Sequence, residues 1–338
     1  MSIIKRLVYL AYYVKQMDWL LLRRFMTNTQ KVKRYGRVRQ LAMIFCDSMR
    51  YNISPLEWYQ FGFVDLSDAE KSTWAGTGTM YEFQRRANPI GAREVLDDKR
   101  SFFKAYKDFF RHDVYDRETL ETNPDSLAKL LLQHERLVLK AANGKCGRSV
   151  SFIETAHWQP SDLLAAMQID GHDLIETPIE QHPDLNRLSP SGVNTVRIVT
   201  ALDADDQPYL LGCRLRISVD SPVDNLAAGN LAAPVDERNG RVTGPGVYSD
   251  FTRDPQSVHP VTGTRIEGFQ IPYWEACLIM ALNAQKLHLE NRSIGWDIAV
   301  TPEGPGLIEG NHDWCKLVWQ MPIRQGLKTK LDEVSLAK

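Results

Sequence analysis

Apolar side chains near the N-terminus recur at steps of three and four residues. This spacing is typical of one face of an α-helix, and strands and helices do not alternate between residues 1 and 95. The pattern therefore predicts a mainly helical N-terminal region. The apolar face of its first helix consists of Leu7, Leu10, Ala11, Val14, Met17 and Leu21.

Beyond residue 98 the pattern changes to short apolar runs separated by helical segments. Runs rich in Val, Ile and Leu between turn residues predict strands, and steps of three and four residues predict helices. We expect Ser161 to be the N-cap of the third helix in this part. The predicted strands are residues 136–141, 149–154, 173–176, 194–202, 208–219, 294–301 and 306–309, and the predicted helices are residues 101–110, 125–134, 161–167 and 272–288.

A segment rich in Gly, Asn, Pro and Asp runs from residue 221 to residue 264. Connections of this length without regular structure are uncommon in compact domains and are usually functional. We therefore expect the segment to wrap around a site. Asn225, Asn230 and His259 lie in it and either belong to that site or are hydrogen-bond partners within the loop.

The overall composition is that of a globular protein. Of 338 residues, 43% are apolar and 25% are charged, which excludes a disordered tail, a collagen-like repeat and a disulfide scaffold. At roughly 150 residues per domain, the length suggests about two domains. The five cysteines are odd in number and contain no CxxC pair. This pattern favours a reducing, cytoplasmic location and disfavours a zinc site.

Charge is distributed unevenly along the chain. Residues 1–50 carry 11 Lys and Arg residues against two Asp, a net charge of +9, whereas the other 288 residues carry −10. The basic first helix either lies on an anionic membrane surface or packs on the protein body with its charges in solvent. Charged residues interrupt its apolar run, so it is not expected to span a membrane. No nucleic-acid motif is present, and no nucleic-acid partner is expected.

Two predicted strands near the C-terminus bring oxygen ligands together. Side chains two residues apart share one face of a strand, so Glu309 and Asn311 point the same way. A hairpin around the turn at residues 302–304 folds Asp297 back beside them. Two carboxylates and an amide oxygen suit Mg²⁺. An ordinary surface hairpin with acidic side chains fits the same pattern.

Residues that suit phosphate and nucleoside binding precede this hairpin. Lys140 ends an apolar strand, and Gly144 and Gly147 lie in the loop that follows. Glycines let backbone N–H groups approach phosphate oxygens, but a plain β-turn is the alternative and no Walker A sequence is present. Further on, Glu176 and Glu180 lie in an extended segment that offers backbone groups to an adenine and a carboxylate to a ribose, or is a solvated strand edge.

Basic residues occur on the predicted central strands. Arg214 and Arg216 share one face of their strand, and Arg197 lies on the strand before it. A buried guanidinium group needs an anionic partner. That partner is either a structural carboxylate or a phosphate group.

These elements, in this order, resemble the ATP-grasp superfamily of ligases over residues 98–325, beginning with Asp98 and Lys99 before a helix. The resemblance implies an α+β protein with the ATP-grasp fold, in which two α/β lobes clasp ATP, preceded here by a mainly helical N-terminal region. The expected divisions are the helical region at 1–95, the small (lid) lobe at 96–173, the large lobe with the metal site at 174–325 and a tail at 326–338.

Three short phrases resemble the sugar-transfer-associated branch of this superfamily. They are SGVNT at residues 191–195, HPVTG at 259–263 and IGWD at 294–297. Relatives usually begin with an α/β domain that helps to hold the acceptor substrate. Residues 1–95 look helical instead, so no substrate role is carried over into them.

The resemblance implies a role for each candidate residue. Lys99 and Lys140 would contact the ATP phosphates, and Gly144 and Gly147 would shape a lid loop over them. The remaining roles are Glu176 at the adenine, Glu180 at the ribose, Arg197 with Arg214 or Arg216 as catalytic contacts to the γ-phosphate or acylphosphate, and Asp297, Glu309 and Asn311 as Mg²⁺ ligands.

The implied activity is carboxylate–amine ligation that depends on ATP and Mg²⁺ and proceeds through an acylphosphate. The expected substrates are a sugar acid or related carboxylate and an amino acid or amine, in polysaccharide, envelope or small-molecule biosynthesis. Two alternatives are a phosphotransferase that releases a phosphorylated product and a non-catalytic nucleotide-binding protein recruited to a membrane. The expected location is cytoplasmic, at the inner face of the membrane if the basic helix binds there.

Overall fold

The N-terminal region is helical, as the sequence predicts. The computed structural model of the chain describes residues 3–144 and 150–334. No helix in these two ranges is long and apolar enough to cross a bilayer. The helices up to residue 97 are α1 (Ile3–Lys15), α2 (Trp19–Lys33), α3 (Arg37–Tyr51), α4 (Pro55–Gln60), α5 (Asp68–Ser72), α6 (Thr77–Ala87) and α7 (Glu94–Asp97).

The rest of the chain contains short helices and two antiparallel sheets. The helices are α8 (Lys99–Tyr106), α9 (Arg117–Thr122), α10 (Pro124–Gln133), α11 (Pro160–Asp170), α12 (Pro183–Leu188), α13 (Trp274–Gln285), α14 (Lys316–Gln320) and α15 (Lys328–Asp332). The strands are β1 (Val114–Asp116), β2 (Arg136–Lys140), β3 (Val150–Glu154), β4 (Leu174–Glu176), β5 (Thr195–Leu202), β6 (Pro208–Ile217), β7 (Leu231–Pro234), β8 (Ser293–Thr301) and β9 (Gly304–Asn311).

Capping residues determine where several helices begin. At α4, the Glu57 carboxylate accepts from the Ser54 backbone N–H (2.7 Å), and the Ser54 hydroxyl accepts from the Glu57 N–H (3.3 Å). The predicted N-cap at Ser161 is wrong, because α11 begins at Pro160 and its N-cap is Gln159. Proline suits the first helical position since its fixed φ matches the helix and it has no N–H to satisfy.

The N-terminal helices share a buried core with the C-terminal part of the chain. Phe25 packs in one cluster with Val247 and Met321. A buried ion pair joins the Glu57 carboxylate to the Lys316 ammonium group at 2.9 Å. Burial raises the pKa of Glu57, but the Lys316 charge outweighs it and the pKa is lowered overall. The helical region is therefore fixed to the large lobe.

The small lobe is a four-stranded antiparallel sheet in the order β1-β4-β2-β3. Its inner face packs on α10 and α11, where Leu137 and Ile175 contact Leu127 and Leu163 in one core. Strand β4 is hydrogen-bonded within this sheet, whereas the sequence-based division places residue 174 at the start of the large lobe. A three-residue strand carries too short a pattern to reveal which sheet it joins.

The large lobe is a five-stranded antiparallel sheet in the order β7-β6-β5-β8-β9. One face is covered by α13 and also by α8, whose Phe102 and Tyr106 pack in the same core. The ring centroids of Tyr106 and Trp296 lie 5.5 Å apart. Helix α8 thus packs on the large sheet, although the sequence-based division assigns it to the lid lobe. The opposite face of the sheet carries the charged residues.

The segment at residues 221–264 includes β7 and is held by its own polar side chains. Asn225 accepts from a backbone N–H two residues on at 3.1 Å. Asn230 accepts from the Val219 N–H (2.7 Å) and donates to the Val223 carbonyl (2.6 Å). The Nε2 atom of His259 lies 2.8 Å from a backbone carbonyl, and its Nδ1 atom faces two backbone N–H groups. All three side chains bond the loop backbone.

Candidate functional site

Four charged residues lie side by side on the face of the large sheet opposite α13, and three of them are buried. Arg197 is in register with Arg214 on one neighbouring strand and with Asp297 on the other. Asp297 is in register with Glu309 on the edge strand β9. Directly paired residues of antiparallel strands project to the same face. The register of the sheet therefore gathers these predicted site residues in one place.

Asp297 is the centre of a buried ion-pair network. The Arg197 guanidinium group donates to both of its oxygens, at 2.5 and 2.9 Å. Arg216 donates to the same carboxylate at 2.8 Å and to Asp224 at 2.7 Å. Burial raises the pKa of Asp297, but the Arg197 and Arg216 charges outweigh it and hold the pKa well below its usual range. Asp297 is thus ionised and tightly held.

Glu309 faces Asp297 but differs from it in its partners. In the described part of the chain, no Lys, Arg or His nitrogen lies within ion-pair distance of the Glu309 carboxylate. Burial raises the pKa of Glu309, and the neighbouring Asp297 charge raises it further. A buried carboxylate beside a second negative charge favours a nearby cation. Glu309 therefore provides a carboxylate without an ion-pair partner in residues 3–144 and 150–334.

Asn311 completes the predicted ligand set for Mg²⁺. Its side-chain nitrogen donates to Glu309 Oε1 at 3.2 Å. Over residues 3–144 and 150–334, no cluster of three or more His, Cys, Asp or Glu side chains could hold a metal ion. A metal here would rest on Asp297, Glu309, the amide oxygen and the oxygens of a substrate. Few protein carboxylates supplemented by substrate phosphates are typical of Mg²⁺, so the donors fit.

Arg214 has no carboxylate partner among the described residues. Its guanidinium donates to the backbone carbonyls of Cys213 (2.5 Å) and Trp319, and its buried Nε atom has no hydrogen-bond partner. Burial lowers the pKa of Arg214 to about 10, so it stays charged at neutral pH. A buried cation without a counter-charge has the chemistry to receive an anionic ligand.

In the small lobe, the carboxylate of Glu176 contacts two basic side chains. The Lys140 ammonium lies 2.6 Å from its carboxylate, and His112 Nε2 lies 3.0 Å from the same oxygen. Burial raises the pKa of Glu176, but Lys140 and His112 outweigh it and lower the pKa to about 2. Glu176 and Lys140 are therefore direct partners, which the sequence does not predict.

Lys99 lies between the two sheets. It is the first residue of α8, whose N-cap is Asp98. Its backbone N–H donates to the Ala142 carbonyl (2.9 Å), and its ammonium group donates to the Gly144 carbonyl. Burial lowers the pKa of Lys99, while attraction by Glu309 raises it and repulsion by Lys140 lowers it again. Lys99 therefore interacts electrostatically with both lobes.

Two candidates for nucleotide binding remain, Glu180 and Gly147. Glu180 is exposed, four residues beyond Glu176. Gly147 lies outside the described residues. The predicted roles of both in nucleotide binding stay predictions.

Sequence reasoning does not find His112 or Asp224. His112 precedes a three-residue strand whose pairing with β4 places it beside Glu176. Asp224 lies in the irregular 221–264 segment, where it accepts from the Thr195 backbone N–H (2.9 Å) and pairs with Arg216. Neither residue belongs to a spaced motif. The only available signal is that a buried Arg216 needs an anionic partner.

The two antiparallel sheets and the charged cleft residues define an ATP-grasp architecture, and comparison with known families agrees. A family profile described as sugar-transfer associated ATP-grasp matches residues 79–335. The chain belongs to this family, which confirms the resemblance inferred from the sequence. A search of curated proteins by sequence found no match.

Solved structures with similar folds have low identity to this chain. An L-amino acid ligase from Bacillus licheniformis is 13% identical, with 66% of this chain and 42% of that chain covered and a TM-score of 0.39. D-alanyl-alanine synthetase A from Vibrio cholerae is 12% identical, covering 69% and 60%, with a TM-score of 0.41. A RimK domain ATP-grasp protein from Sphaerobacter thermophilus is 12% identical, covering 72% and 69%, with a TM-score of 0.40. The chain thus spans less than two thirds of the first two structures.

Proposed function

We propose that this protein is an ATP-dependent carboxylate–amine ligase that works through an acylphosphate. The observation that carries the proposal is the position of Lys99, whose charge interacts with Lys140 and Glu176 on the lid side and with Glu309 on the large sheet. A triphosphate bound there would meet ammonium groups and, at its far end, carboxylate ligands for its metal. Positioning and electrostatic stabilisation of this kind account for most catalysis of phosphoryl transfer.

The proposed chemistry overcomes the low reactivity of a carboxylate at neutral pH. A carboxylate oxygen of the substrate attacks the γ-phosphorus of ATP, and ADP leaves with the electron pair of the broken bond. An amine then attacks the acyl carbon of the acylphosphate. Inorganic phosphate leaves, a proton is released, and an amide remains.

Each charged residue of the cleft would have its own role in this reaction. Lys99 and Lys140 would bind phosphate oxygens, with Lys140 held in place by its contact to Glu176 at 2.6 Å. Arg214, buried without a carboxylate partner in the described chain, would receive the anionic acylphosphate or its departing phosphate. Bound Mg²⁺ would supply positive charge beside the transferring phosphate oxygens.

The network around Asp297 would keep the metal ligands in place. Arg197 and Arg216 fix the Asp297 carboxylate, at 2.5 and 2.8 Å, in the orientation that faces Glu309. The lid sheet would cover the bound phosphates and keep water away from the acylphosphate, which water otherwise hydrolyses. Substrate carboxylate and amine would then meet in a closed cleft.

We infer the substrate class from membership of the sugar-transfer associated family. The carboxylate would belong to a sugar acid or an amino-acid-like compound, and the second substrate would be an amino acid or another amine. Such a reaction belongs to polysaccharide, envelope or small-molecule biosynthesis. The acceptor side would lie beside the 221–264 segment, which contributes Asp224 to the charged face.

The test is ADP release measured with Mg²⁺-ATP and a matrix of uronic acids, amino acids and amines. Ligation predicts ADP release that requires both a carboxylate and an amine, and a product mass equal to the two substrates minus water. Glu309→Gln should abolish the signal, whereas Glu303→Gln in the turn of the same hairpin should retain it. ADP release with one substrate and a product carrying a phosphoryl group would instead identify a phosphotransferase.

A further inference from the structure

Large apolar side chains are exposed on the first three helices to an unusual extent. They account for 11 of the 22 exposed large hydrophobic residues in the described chain, although these helices end at residue 51. Such a concentration of exposed apolar side chains in one short segment points to an interaction surface. The residues are Ile4, Leu7, Val8, Tyr12, Val14, Trp19, Leu20, Val32, Val38, Leu41 and Phe45.

Helix α1 has the reverse of the usual orientation for an amphipathic helix on a globular protein. It contacts the body through polar and aromatic side chains: Arg6 donates to the Arg50 carbonyl (2.8 Å), and Tyr9 donates to Glu82 (2.7 Å). Tyr13 is buried on the same side. Aliphatic residues that would normally face the core therefore face solvent, including half of the predicted apolar face.

Helix α3 exposes a second apolar stripe. Val38, Leu41 and Phe45 recur at steps of three and four residues and are all exposed. The opposite side of α3 is buried through Ile44 and Asp47. The stripe is thus an outward face of a helix that is already packed on its other side.

The same segment carries exposed positive charge, of which Arg24, Lys33 and Arg50 pair with carboxylates elsewhere in the chain. Both acidic residues of the segment have structural roles, because Asp18 caps α2 (2.9 Å) and Asp47 is buried against Lys71 (2.9 Å). In the described ranges, no carboxylate lies within 4.0 Å of five exposed basic side chains. They are Lys15, Arg23, Lys31, Arg34 and Arg37.

We propose that α1–α3 form a docking surface for an anionic lipid bilayer. Exposed aliphatic and aromatic side chains surrounded by Lys and Arg match the interfacial region of such a membrane, where apolar groups enter the acyl boundary and cations meet lipid headgroups. A second copy of this chain is disfavoured, since it would bring together two surfaces that each expose basic side chains without a nearby carboxylate. An acidic protein would satisfy the cations but leaves the aliphatic residues unexplained.

Vesicle flotation with the full-length protein tests this proposal. The expected result is binding to phosphatidylcholine vesicles that contain phosphatidylglycerol, little binding to pure phosphatidylcholine, and loss of binding as salt rises, because the headgroup attraction is screened. Equal binding to both vesicle types, or none to either, would overturn the proposal.

Matched variants distinguish binding through this surface from non-specific binding to vesicles. Leu20→Ser with Val38→Ser removes side chains that are 82% and 83% exposed, and Arg23→Glu with Arg37→Glu reverses two charges. The charge-reversal pair should weaken binding at least tenfold, since a basic residue near an anionic surface contributes about fivefold. The serine pair should also weaken binding, because it removes apolar side chains that would enter the acyl boundary. Ile90→Ser with Ile169→Ser (88% and 84% exposed) and Lys104→Glu with Lys129→Glu are the controls and should leave binding unchanged. Equal losses in controls and test variants would contradict the assignment.

Trp19 offers a direct readout of contact with lipid. It is exposed on α2, whereas Trp58, Trp296, Trp314 and Trp319 are fully buried. Brominated phosphatidylcholine in the anionic vesicles should quench the fluorescence of the wild-type protein and quench the Trp19→Phe variant far less. Quenching that is unchanged in the variant, or a dimer in solution that the Leu20→Ser and Val38→Ser pair converts to monomer, would count against a lipid partner.

Discussion

Glu309 and Asp297 lie opposite each other on adjacent antiparallel strands, yet only Asp297 has arginine partners among the described residues. The pKa of Asp297 is lowered because Arg197 and Arg216 outweigh its burial, whereas burial and the Asp297 charge raise the pKa of Glu309. Neighbouring carboxylates thus differ in proton affinity because of where the guanidinium groups lie. An added cation should therefore change the ionisation of Glu309 more than that of Asp297.

Replacing Glu309 by Gln should weaken binding of Mg²⁺-ATP by at least tenfold and remove ligation, because the anionic metal ligand is lost. Isothermal titration with Mg²⁺ and a non-hydrolysable ATP analogue measures the change. Glu303→Gln, in the turn of the same hairpin, is the matched control. Unchanged affinity in Glu309→Gln would place the metal elsewhere.

The same variant has a stability signature in the absence of metal. Because the pKa of Glu309 is raised by folding, its stabilising contribution is complete below the unfolded value of about 4.3 and is lost as pH rises through the folded value. Gln cannot ionise, so Glu309→Gln should be at least as stable as wild type at pH 7 and lose that advantage at pH 4. Denaturant unfolding at the two pH values tests this prediction. Added Mg²⁺ should stabilise the wild-type protein more than the variant.

Asp297→Asn should be strongly destabilising at neutral pH. The change leaves the buried guanidinium of Arg197 without its counter-charge and removes one of the two carboxylates of Arg216. Breaking a buried ion pair by removing one partner costs about 3–5 kcal/mol. Glu309→Gln on the same face serves as the comparison in urea unfolding. Equal midpoints for the two variants would show that the arginines do not depend on Asp297.

Glu176→Gln should destabilise the lid lobe by about 3 kcal/mol at pH 7, because a pKa lowered to about 2 in the folded state corresponds to about 1.4 kcal/mol per pKa unit. The folded pKa is depressed, so this stability is present above pH 4.5 or so and is lost as pH falls towards 2. The difference in stability between wild type and Glu176→Gln should therefore shrink over that range.

The control is Glu154→Gln on β3 of the same sheet, which removes an exposed ion pair with Arg136. It should change stability by less than about 0.5 kcal/mol. Similar losses for both variants would argue against a buried Glu176–Lys140 pair.

Lys99→Met should lower kcat/KM for ATP about 100-fold or more, since a cation in the cleft would stabilise the charge on the transferring phosphate. Lys104→Met changes an exposed lysine on the same helix and should have no effect. Steady-state kinetics with saturating carboxylate and amine provide the measurement. Equal kinetics in the two variants would remove Lys99 from the phosphate site.

The sequence anticipates which residues are neighbours on the large sheet, but short-range rules do not supply the whole register of its last two strands. The turn at residues 302–304 and regular pairing alone would set Asp297 opposite Ile308, and a register shift between Asp297 and Ile298 pairs Asp297 with Glu309 instead. The need of a buried arginine for an anion anticipates the contacts of Arg197 and Arg216. What spacing cannot supply is the choice between carboxylate and phosphate, and Arg214 differs from Arg216 in this respect.

Contacts that depend on the arrangement of whole elements lie beyond such rules. His112 reaches Glu176 only because β1 pairs with β4, and both are three-residue strands. The inward side of α1 is set by Tyr9 and Tyr13, which bond to Glu82 and to the Asn52 side chain. The apolar stripe in the sequence leaves the orientation of this helix open, because periodicity records where aliphatic residues lie and carries no information about hydrogen-bond partners.

The buried pair between Glu57 and Lys316 crosses the boundary of the recognised family, which begins at residue 79. A chain cut at that boundary would leave the Lys316 ammonium buried beside an emptied pocket and would strip Val247 and Met321 of their partners. The residues that the family profile matches therefore do not include all the side chains that pack in their core. Glu57 lies on α4 and Lys316 begins α14, just beyond β9, so the N-terminal helices hold in place the helix that follows the proposed metal ligands.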